Sequence, residues 1–259
     1  MRIPFYQVDA FTSEVFGGNP AGVCPLDEWL DDVLLQSIAA ENNLSETAFF
    51  VRRGGHYELR WFTPRIEVDL CGHATLASGH VIFEALEPNA TRIEFKTPSG
   101  TLAVAREGEL LSLDFPSRPA APCDAPLELA SALGAAPREV RQARDFLAIF
   151  DQEEAILQLR PDMARLAELD CLGVIVTAPG RRCDFVSRFF APRAGIPEDP
   201  VTGSAHCTLV PYWAQRLGKI RLHAQQLSER GGELFCEDKG QRVSIAGRAV
   251  TYLEGEIRL

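Results

Sequence analysis

The 259-residue sequence lacks several features that would assign it to a common functional class. Its 26 lysine and arginine residues face 36 aspartate and glutamate residues, and the net charge of −10 argues against nucleic acid or an anionic membrane surface as a partner. No apolar run approaches the roughly 18 residues of a membrane-spanning helix, and the N-terminus lacks the apolar stretch of a signal peptide. Seven cysteines without a Cys-x-x-Cys pair disfavour a disulfide framework and favour free thiols in a reducing cytoplasm.

Several catalytic and binding motifs are also missing. There is no Gly-x-Gly-x-x-Gly after a strand and no Gly-x-x-x-x-Gly-Lys-Ser/Thr loop, which disfavours a parallel dinucleotide-binding or phosphate-loop fold. The absence of Gly-x-Ser-x-Gly disfavours a serine hydrolase. His206 and Cys207 are not spaced from other histidines or cysteines as zinc ligands are, so we expect no metal site.

What the sequence does contain is one motif written twice. Residues 61–65 read Trp-Phe-Thr-Pro-Arg and residues 189–193 read Phe-Phe-Ala-Pro-Arg. Each is followed by an acidic loop, a glycine (Gly72 or Gly203) and a stretch of small residues with helical spacing. The two arginines are 193 − 65 = 128 residues apart and the two glycines 203 − 72 = 131, so the second loop is about three residues longer. A half-chain repeat predicts two similar domains that face one another.

The arrangement of elements predicts an α+β fold of two pseudo-symmetric domains. Each half has many short strand-like runs and one helix with a slim apolar face, and a mostly antiparallel sheet rolled around that helix would bury it. The proline-rich segment 116–126 is the natural boundary. We therefore predict an N-terminal domain over 1–116 and a C-terminal domain over 117–251, with the last strand, about 252–259, able to pack on the first domain.

Three segments have a local pattern that predicts a helix or a strand. Small and aliphatic residues predict a helix from Gly72 to Leu86. Apolar residues at helical spacing predict another helix over 26–42, with Asp27 as its N-cap. Residues 155–159 have the pattern of a strand.

The two predicted helix starts are candidate binding positions. The first N–H groups of a helix lack intrahelical partners and carry partial positive charge, so Gly72 and Gly203 would let a carboxylate approach the backbone closely. Ser204 occupies the position that matches His73 (204 − 73 = 131) and could cap the helix, bind the ligand, or both. The alternative is that both glycines only relieve crowding at strand-to-helix turns.

Three side chains are candidates for acid–base chemistry. Glu46 opens an apolar strand, where partial desolvation would make its carboxylate more basic than one in water. His73 directly follows Gly72, and the polarity of a helix start favours its neutral form. Asp199 lies in the acidic loop of the second copy. The alternatives are a solvated carboxylate for Glu46, a structural histidine for His73, and a turn or cap residue for Asp199.

The residues before the two glycines, Cys71 and Thr202, bear on the type of reaction. Racemases that use two bases without a cofactor need a thiol on each side of the substrate carbon. A threonine hydroxyl has a far higher pKa than a thiol and cannot replace a thiolate base near neutral pH without strong activation. The pair therefore disfavours symmetric cysteine racemisation.

At these residues the chain resembles the phenazine-biosynthesis PhzF-like family, within the superfamily that has the diaminopimelate-epimerase-like fold. Five segments match in family order and together are highly specific. They are Phe16-Gly-Gly-Asn-Pro-Ala-Gly-Val23, Asn43-Leu-Ser-Glu-Thr-Ala-Phe49, Phe62-Thr-Pro-Arg65, Cys71-Gly-His-Ala-Thr-Leu-Ala77 and Glu198-Asp-Pro-Val-Thr-Gly-Ser-Ala205.

The resemblance implies a homodimer without cofactor or metal, and an active site in a cleft between the two domains. In the family's best-known member, an isomerase of dihydro-hydroxyanthranilate, one glutamate moves a proton between ring carbons. That glutamate falls on Glu46. The assisting histidine and aspartate fall on His73 and Asp199. The ligand-contacting positions fall on Ser45, Gly72, Gly203 and Ser204.

We therefore predict a cytoplasmic, cofactor-independent isomerase that transfers a proton on a small carboxylate-bearing substrate. Two alternatives remain at this point. One is an epimerase, racemase or dehydratase that uses Cys71. The other is a non-catalytic small-molecule binder on the same scaffold. The motifs do not identify the substrate.

Overall fold

The computed structural model describes all 259 residues, and they divide into two compact units. Unit 1 comprises Met1–Asp114 and Ala246–Leu259, and unit 2 comprises Phe115–Ile245. The sequence prediction placed residues 246–251 in the second domain. They belong to unit 1 instead, because the last strand begins at Ala249 and its whole length pairs with the first strand of the chain.

The chain forms 17 strands and six α-helices. The strands are β1 (Arg2–Ala10), β2 (Asn19–Leu26), β3 (Glu46–Arg53), β4 (His56–Phe62), β5 (Glu67–Val68), β6 (Arg92–Thr97), β7 (Gly100–Glu107), β8 (Leu110–Pro116), β9 (Ala121–Pro122), β10 (Glu139–Gln142), β11 (Phe146–Ile149), β12 (Val174–Pro179), β13 (Phe185–Phe190), β14 (Arg221–Gln226), β15 (Gly232–Asp238), β16 (Arg242–Gly247) and β17 (Ala249–Arg258). The helices are α1 (Asp32–Asn42), α2 (Gly72–Val81), α3 (Leu129–Leu133), α4 (Glu153–Gln158), α5 (Met163–Glu168) and α6 (Gly203–Leu217).

Strand pairing repeats between the units. In unit 1 the successive pairs β1–β2, β2–β3, β3–β4, β4–β6 and β6–β7 are antiparallel, parallel, antiparallel, parallel and antiparallel. In unit 2 the pairs β10–β11, β11–β12, β12–β13, β13–β14 and β14–β15 follow the same order of directions. Helices α2 and α6 occupy matching places in this order, so the sequence motif written twice belongs to a duplicated α+β unit.

Helix α2 is the centre of unit 1. Ala74, Ala77 and Ser78 are fully buried, and the helix packs against β1, β2, β3, β7 and β17. These strands come from both ends of the pairing order, which means that the mixed sheet curves around the helix. The approach to β7 is close, since a Cβ atom added at Gly79 would lie 2.8 Å from Val104 Cγ1.

Helix α6 is the long buried helix of unit 2 and packs against β14 and β15. Trp213 is stacked on Phe185 with ring centroids 5.6 Å apart. Its indole N–H donates to Thr177 Oγ1 at 3.0 Å, so the one polar group of this buried side chain is satisfied. The packing fixes the direction of the helix whose N-terminus carries Gly203.

Three local predictions differ from the structure. Helix α1 begins at Asp32 and is capped by Asp31, whose Oδ1 accepts from Val33 N at 2.9 Å. Asp27 is not the cap, because β2 continues to Leu26 in parallel pairing with β3. Residues 155–159 are not a strand, because helix α4 covers Glu153–Gln158. Helix α2 ends at Val81 and continues as one π-helical turn over Ile82–Leu86.

Candidate active site

A bidentate ion pair holds the acidic loop in each unit. In unit 1, Arg60 donates to both carboxylate oxygens of Glu67 at 2.7 Å. In unit 2, Arg188 donates to both oxygens of Glu198 at 2.7 and 2.9 Å. The arginines are 188 − 60 = 128 residues apart and the glutamates 198 − 67 = 131, the offsets of the sequence repeat. The duplicated motif therefore encodes a duplicated clamp on the loop that leads into each central helix.

The residues that precede α2 and α6 do not use their side chains to cap these helices. Cys71 and Thr202 are the N-cap residues of α2 and α6, both have extended backbone, and neither side chain caps its own helix. Each instead contacts a predicted acid–base residue of the same unit. Cys71 contacts His73, and Thr202 donates to Asp199.

Glu46 and His73 form the central contact of unit 1. Glu46 is the first residue of β3, and His73 is the second residue of α2. Glu46 Oε2 lies 3.1 Å from His73 Nε2, with side-chain exposures of only 12% and 7%. Oε2 is fully buried, and no hydrogen-bond donor is aligned with it. The structure thus places a shielded carboxylate oxygen beside an imidazole, an arrangement suited to moving a proton.

Cys71 lies on the other side of the same imidazole. Its Sγ is 3.5 Å from His73 Nδ1 and 4.0 Å from Nε2. Burial, and secondarily the charge of Glu46, raise the pKa of the Cys71 thiol. A raised pKa means that the sulfur is a thiol rather than a thiolate at neutral pH, which is the inert form.

The neighbours of His73 act against the neutral form that the sequence predicts. Burial lowers the pKa of His73, but Cys71 and Glu46 act in the opposite direction and together raise it well above its ordinary value. While Cys71 is a neutral thiol, only the Glu46 carboxylate acts by its charge to raise the pKa of His73. The carboxylate thus acts against the helix-start polarity on which the prediction relied.

A raised histidine pKa has a testable consequence for stability. A group whose pKa is higher in the folded than in the unfolded protein stabilises the fold fully below its unfolded pKa, and loses that effect as the pH rises through its folded pKa. We expect the free energy of unfolding to fall as the pH rises above the ordinary histidine pKa of about 6.5, and to fall less in His73→Gln. Urea unfolding of both proteins measures the difference. Parallel pH curves for the two proteins would contradict it.

The half-buried Asp199 forms a network in unit 2 with the buried Thr202 and Gln226. The Thr202 hydroxyl donates to Asp199 Oδ2. Gln226, which is 1% exposed, accepts from Thr202 N at 2.9 Å. Its amide nitrogen donates to the Asp199 carbonyl at 2.8 Å and to Thr202 Oγ1 at 3.1 Å. The carboxylate of Asp199 is thus held at the start of α6.

The predicted binding residues lie beside these groups. Ser45 directly precedes Glu46 and is half-buried. Gly72 is half-buried and Gly203 is buried, each at the first position of its helix. Ser204 Oγ accepts from Arg144 Nη2 at 3.1 Å, and Arg144 is also paired with the buried Asp145 at 3.0 Å. Arg144 therefore brings a positive charge to the N-terminus of α6.

One group of side chains has the composition of a metal site. Ligand atoms of Glu46, Cys71 and His73 all lie within 4.8 Å of one another. However, the sulfur lies nearest Nδ1 and the carboxylate nearest Nε2, so the two flank different nitrogens of one ring. Because one ion binds one imidazole nitrogen, this geometry fits two separate contacts on opposite sides of the ring better than a chelate.

The two units differ at the position of Glu46. Ala48 pairs with Trp61 in unit 1 and Ile175 pairs with Phe189 in unit 2, and 189 − 61 = 128, so Ala48 corresponds to Ile175. Two residues earlier in each unit, Glu46 of unit 1 therefore corresponds to Gly173 of unit 2. A Cβ atom at Gly173 would lie 2.4 Å from Phe189 Cζ. Unit 2 therefore has no acid at this position and no space for one.

Sequence reasoning missed three residues that shape these sites. Gln226, Arg144 and Gly173 belong to no motif, and only the folded structure brings them to Thr202, Ser204 and Phe189. The repeat could not have identified Gly173 from the sequence, because the offset here is 173 − 46 = 127 rather than 128, which would have pointed to Val174. No signal in the sequence marks Gln226 or Arg144.

Comparison with known proteins identifies the family of the chain. The sequence profile of the PhzC-PhzF family, described as phenazine biosynthesis-like protein, matches residues 8–255. The chain belongs to this family. An uncharacterized isomerase of Pseudomonas aeruginosa is 55% identical over 259 residues, which cover 100% of both chains.

Solved structures agree with this family. A phenazine biosynthesis protein of the PhzF family from Enterococcus faecalis has a TM-score of 0.98 at 48% identity, covering 100% of both chains. A hydroxyproline epimerase from Agrobacterium vitis has a TM-score of 0.65 at 10% identity, covering 100% of this chain and 93% of its own, which shows a shared fold alone. The predicted diaminopimelate-epimerase-like α+β fold is confirmed. No helix of this PhzF-family chain is long and apolar enough to cross a membrane.

Proposed function

We propose that this PhzF-family protein is a cofactor-independent isomerase that moves a proton on a small carboxylate-bearing substrate. The contact between the Glu46 carboxylate and the His73 imidazole carries the proposal. Glu46 would take the proton from one substrate carbon and return it to another. His73 would hold or relay protons beside the Glu46 carboxylate. Names of relatives as isomerases support the reaction class. That the reaction needs no metal or cofactor remains a prediction. That the protein is a homodimer also remains a prediction.

The difference between the units supports a single base. Gly173 and the Phe189 ring occupy the place in unit 2 that Glu46 occupies in unit 1. Thr202 occupies the position in unit 2 that Cys71 occupies in unit 1, so the second thiol of a two-base racemase is missing. A reaction in which one carboxylate both removes and delivers the proton requires neither a second acid nor a second thiol.

The remaining predicted residues would bind and orient the substrate. Asp199 would hold a polar group of the substrate or relay its proton. The backbone N–H groups at Gly72 and Gly203, with Ser45 and Ser204, would hold the carboxylate. Positioning of this kind contributes to the rate by restricting the substrate to reactive orientations.

A panel of small cyclic and amino carboxylates, including dihydro-hydroxyanthranilate, tests the proposal in D₂O. We expect wild type to isomerise at least one compound, or to introduce deuterium at carbon, as measured by NMR and mass spectrometry. Saturable binding of a panel compound without isomerisation or exchange would identify a non-catalytic binder and contradict the proposal.

Replacement of Cys71 separates the isomerase from the thiol-dependent alternative. In Cys71→Ser, turnover of the panel substrate is expected to stay within about tenfold of wild type, because the neutral thiol only contacts His73 and serine keeps a polar group there. An epimerase, racemase or dehydratase that uses the thiolate would lose nearly all activity. Loss of activity in Cys71→Ser with retention in Glu46→Gln would reverse the assignment.

A further inference from the structure

The network around Asp199 has a defined direction of hydrogen bonding. Gln226 Oε1 accepts from Thr202 N, and Gln226 Nε2 donates to the Asp199 carbonyl. A flipped amide would place its nitrogen against an N–H group and its oxygen against a carbonyl, so only one orientation satisfies both partners. Gln226 Nε2 therefore also points a hydrogen at Thr202 Oγ1, at 3.1 Å.

This direction fixes the proton of the Thr202 hydroxyl. Oγ1 receives a hydrogen from Gln226, so its own hydrogen is left for Asp199 Oδ2, the partner to which it donates. Thr202 and Gln226 are 6% and 1% exposed, so water competes little for either bond. A donor in such a place favours the ionised carboxylate and restricts its rotation.

We propose that Thr202, oriented by Gln226, is a positioning residue that holds the Asp199 carboxylate for the reaction; this rests on the proposed function of Asp199. Unit 1 offers a parallel, because Cys71 at the matching position contacts His73 (202 − 71 = 131). In both units the residue before the helix glycine thus supports an acid–base residue and carries no chemistry of its own. The proposal explains why a threonine is sufficient where a two-base racemase needs a thiol.

Titration of Asp199 tests the contact without any substrate. In protein labelled with ¹³C at aspartate carboxyl carbons, with the signal assigned by its loss in Asp199→Asn, the Asp199 midpoint is expected at higher pH in Thr202→Val than in wild type. Thr202→Ser, which keeps the hydroxyl, is expected to titrate like wild type. The neighbouring carboxylate of Glu198 is paired with Arg188 at 2.7 Å. We expect this pair to contribute the same electrostatic field at Asp199 in all variants. An unchanged midpoint in a folded Thr202→Val protein would overturn the proposal.

Activity provides the second measurement. With the panel compound that wild type isomerises, kcat is expected to fall at least about tenfold in Thr202→Val and to recover in Thr202→Ser, with a smaller change in KM. A purely structural role would lower the melting temperature of Thr202→Val without this separation of kcat from KM. If wild type isomerises no compound, the proposed function fails while the titration still decides the role of Thr202.

A measurement on wild type covers the case in which Thr202→Val does not fold. The Thr202 hydroxyl proton is expected to exchange slowly with water and to show a nuclear Overhauser effect to the Asp199 β-protons, because it is buried between two partners. Rapid exchange of this hydroxyl would overturn the proposal.

Discussion

Glu46→Gln is expected to lower kcat by about 10²–10⁴-fold, the usual contribution of a general acid–base group. Glutamine keeps the shape of the side chain but cannot accept and return a proton at carbon. The dissociation constant of the panel substrate is expected to stay within a few-fold of wild type, because the proposed binding groups are other residues. Steady-state kinetics and calorimetric binding measure the two quantities separately.

The exposed Glu41 of the same unit provides a matched control. Glu41→Gln removes one carboxylate in the same way and is expected to leave kcat unchanged. If Glu46→Gln turned over within about tenfold of wild type, Glu46 would not be the base. The variant also tests the structure independently, because loss of the carboxylate should lower the pKa of His73 in an NMR titration, whatever the substrate.

Glu198→Ala is expected to cost about 3 kcal/mol of unfolding free energy, because it leaves the guanidinium of Arg188 buried without its partner. The side chains of Arg188 and Glu198 are only 12% and 23% exposed. Arg188 also donates to the carbonyls of Ile156 and Leu159, which prevents it from turning out to solvent. Urea unfolding gives the measurement.

The repeat supplies the control for this prediction. Glu67→Ala removes the matching glutamate of unit 1, which is 35% exposed, and Arg60 keeps a second partner in Asp32 at 2.8 Å. Its expected cost is about 1 kcal/mol or less, as for a solvent-screened pair. Equal losses in the two variants would show that burial does not determine the strength of the clamp.

Much of the fold is predictable from the sequence because the repeat shows the same pattern of strand, loop and helix in two places. The glycines at 72 and 203 begin α2 and α6 as predicted, since small residues follow each one in a helical pattern. Residues 155–159 were misassigned because Ala155, Ile156 and Leu157 form a short apolar run that suits either a strand or a helix. Spacing alone predicts Asp27 as a cap, whereas pairing of β2 with β3 keeps the chain extended up to Leu26.

The candidate site was predictable only where its residues lie inside a motif. Glu46 and His73 were predicted on separate elements, and the structure brings them to 3.1 Å. The raised pKa of His73 was not predictable, because it depends in part on a carboxylate 27 residues earlier in the chain (73 − 46 = 27) that only folding brings near. Gln226 reaches Thr202 from a strand that follows α6, and nothing in local sequence marks such a contact.

The packing of the Phe189 ring on Gly173 restricts how this protein could change. Introducing an acid in the second copy would require a side chain at 173 and a smaller residue at 189 together, because either change alone leaves the new Cβ against the ring or a void beside it. Single substitutions along that route pass through a less stable protein. Packing alone would therefore maintain the difference between the two units, whether or not the chemistry requires it.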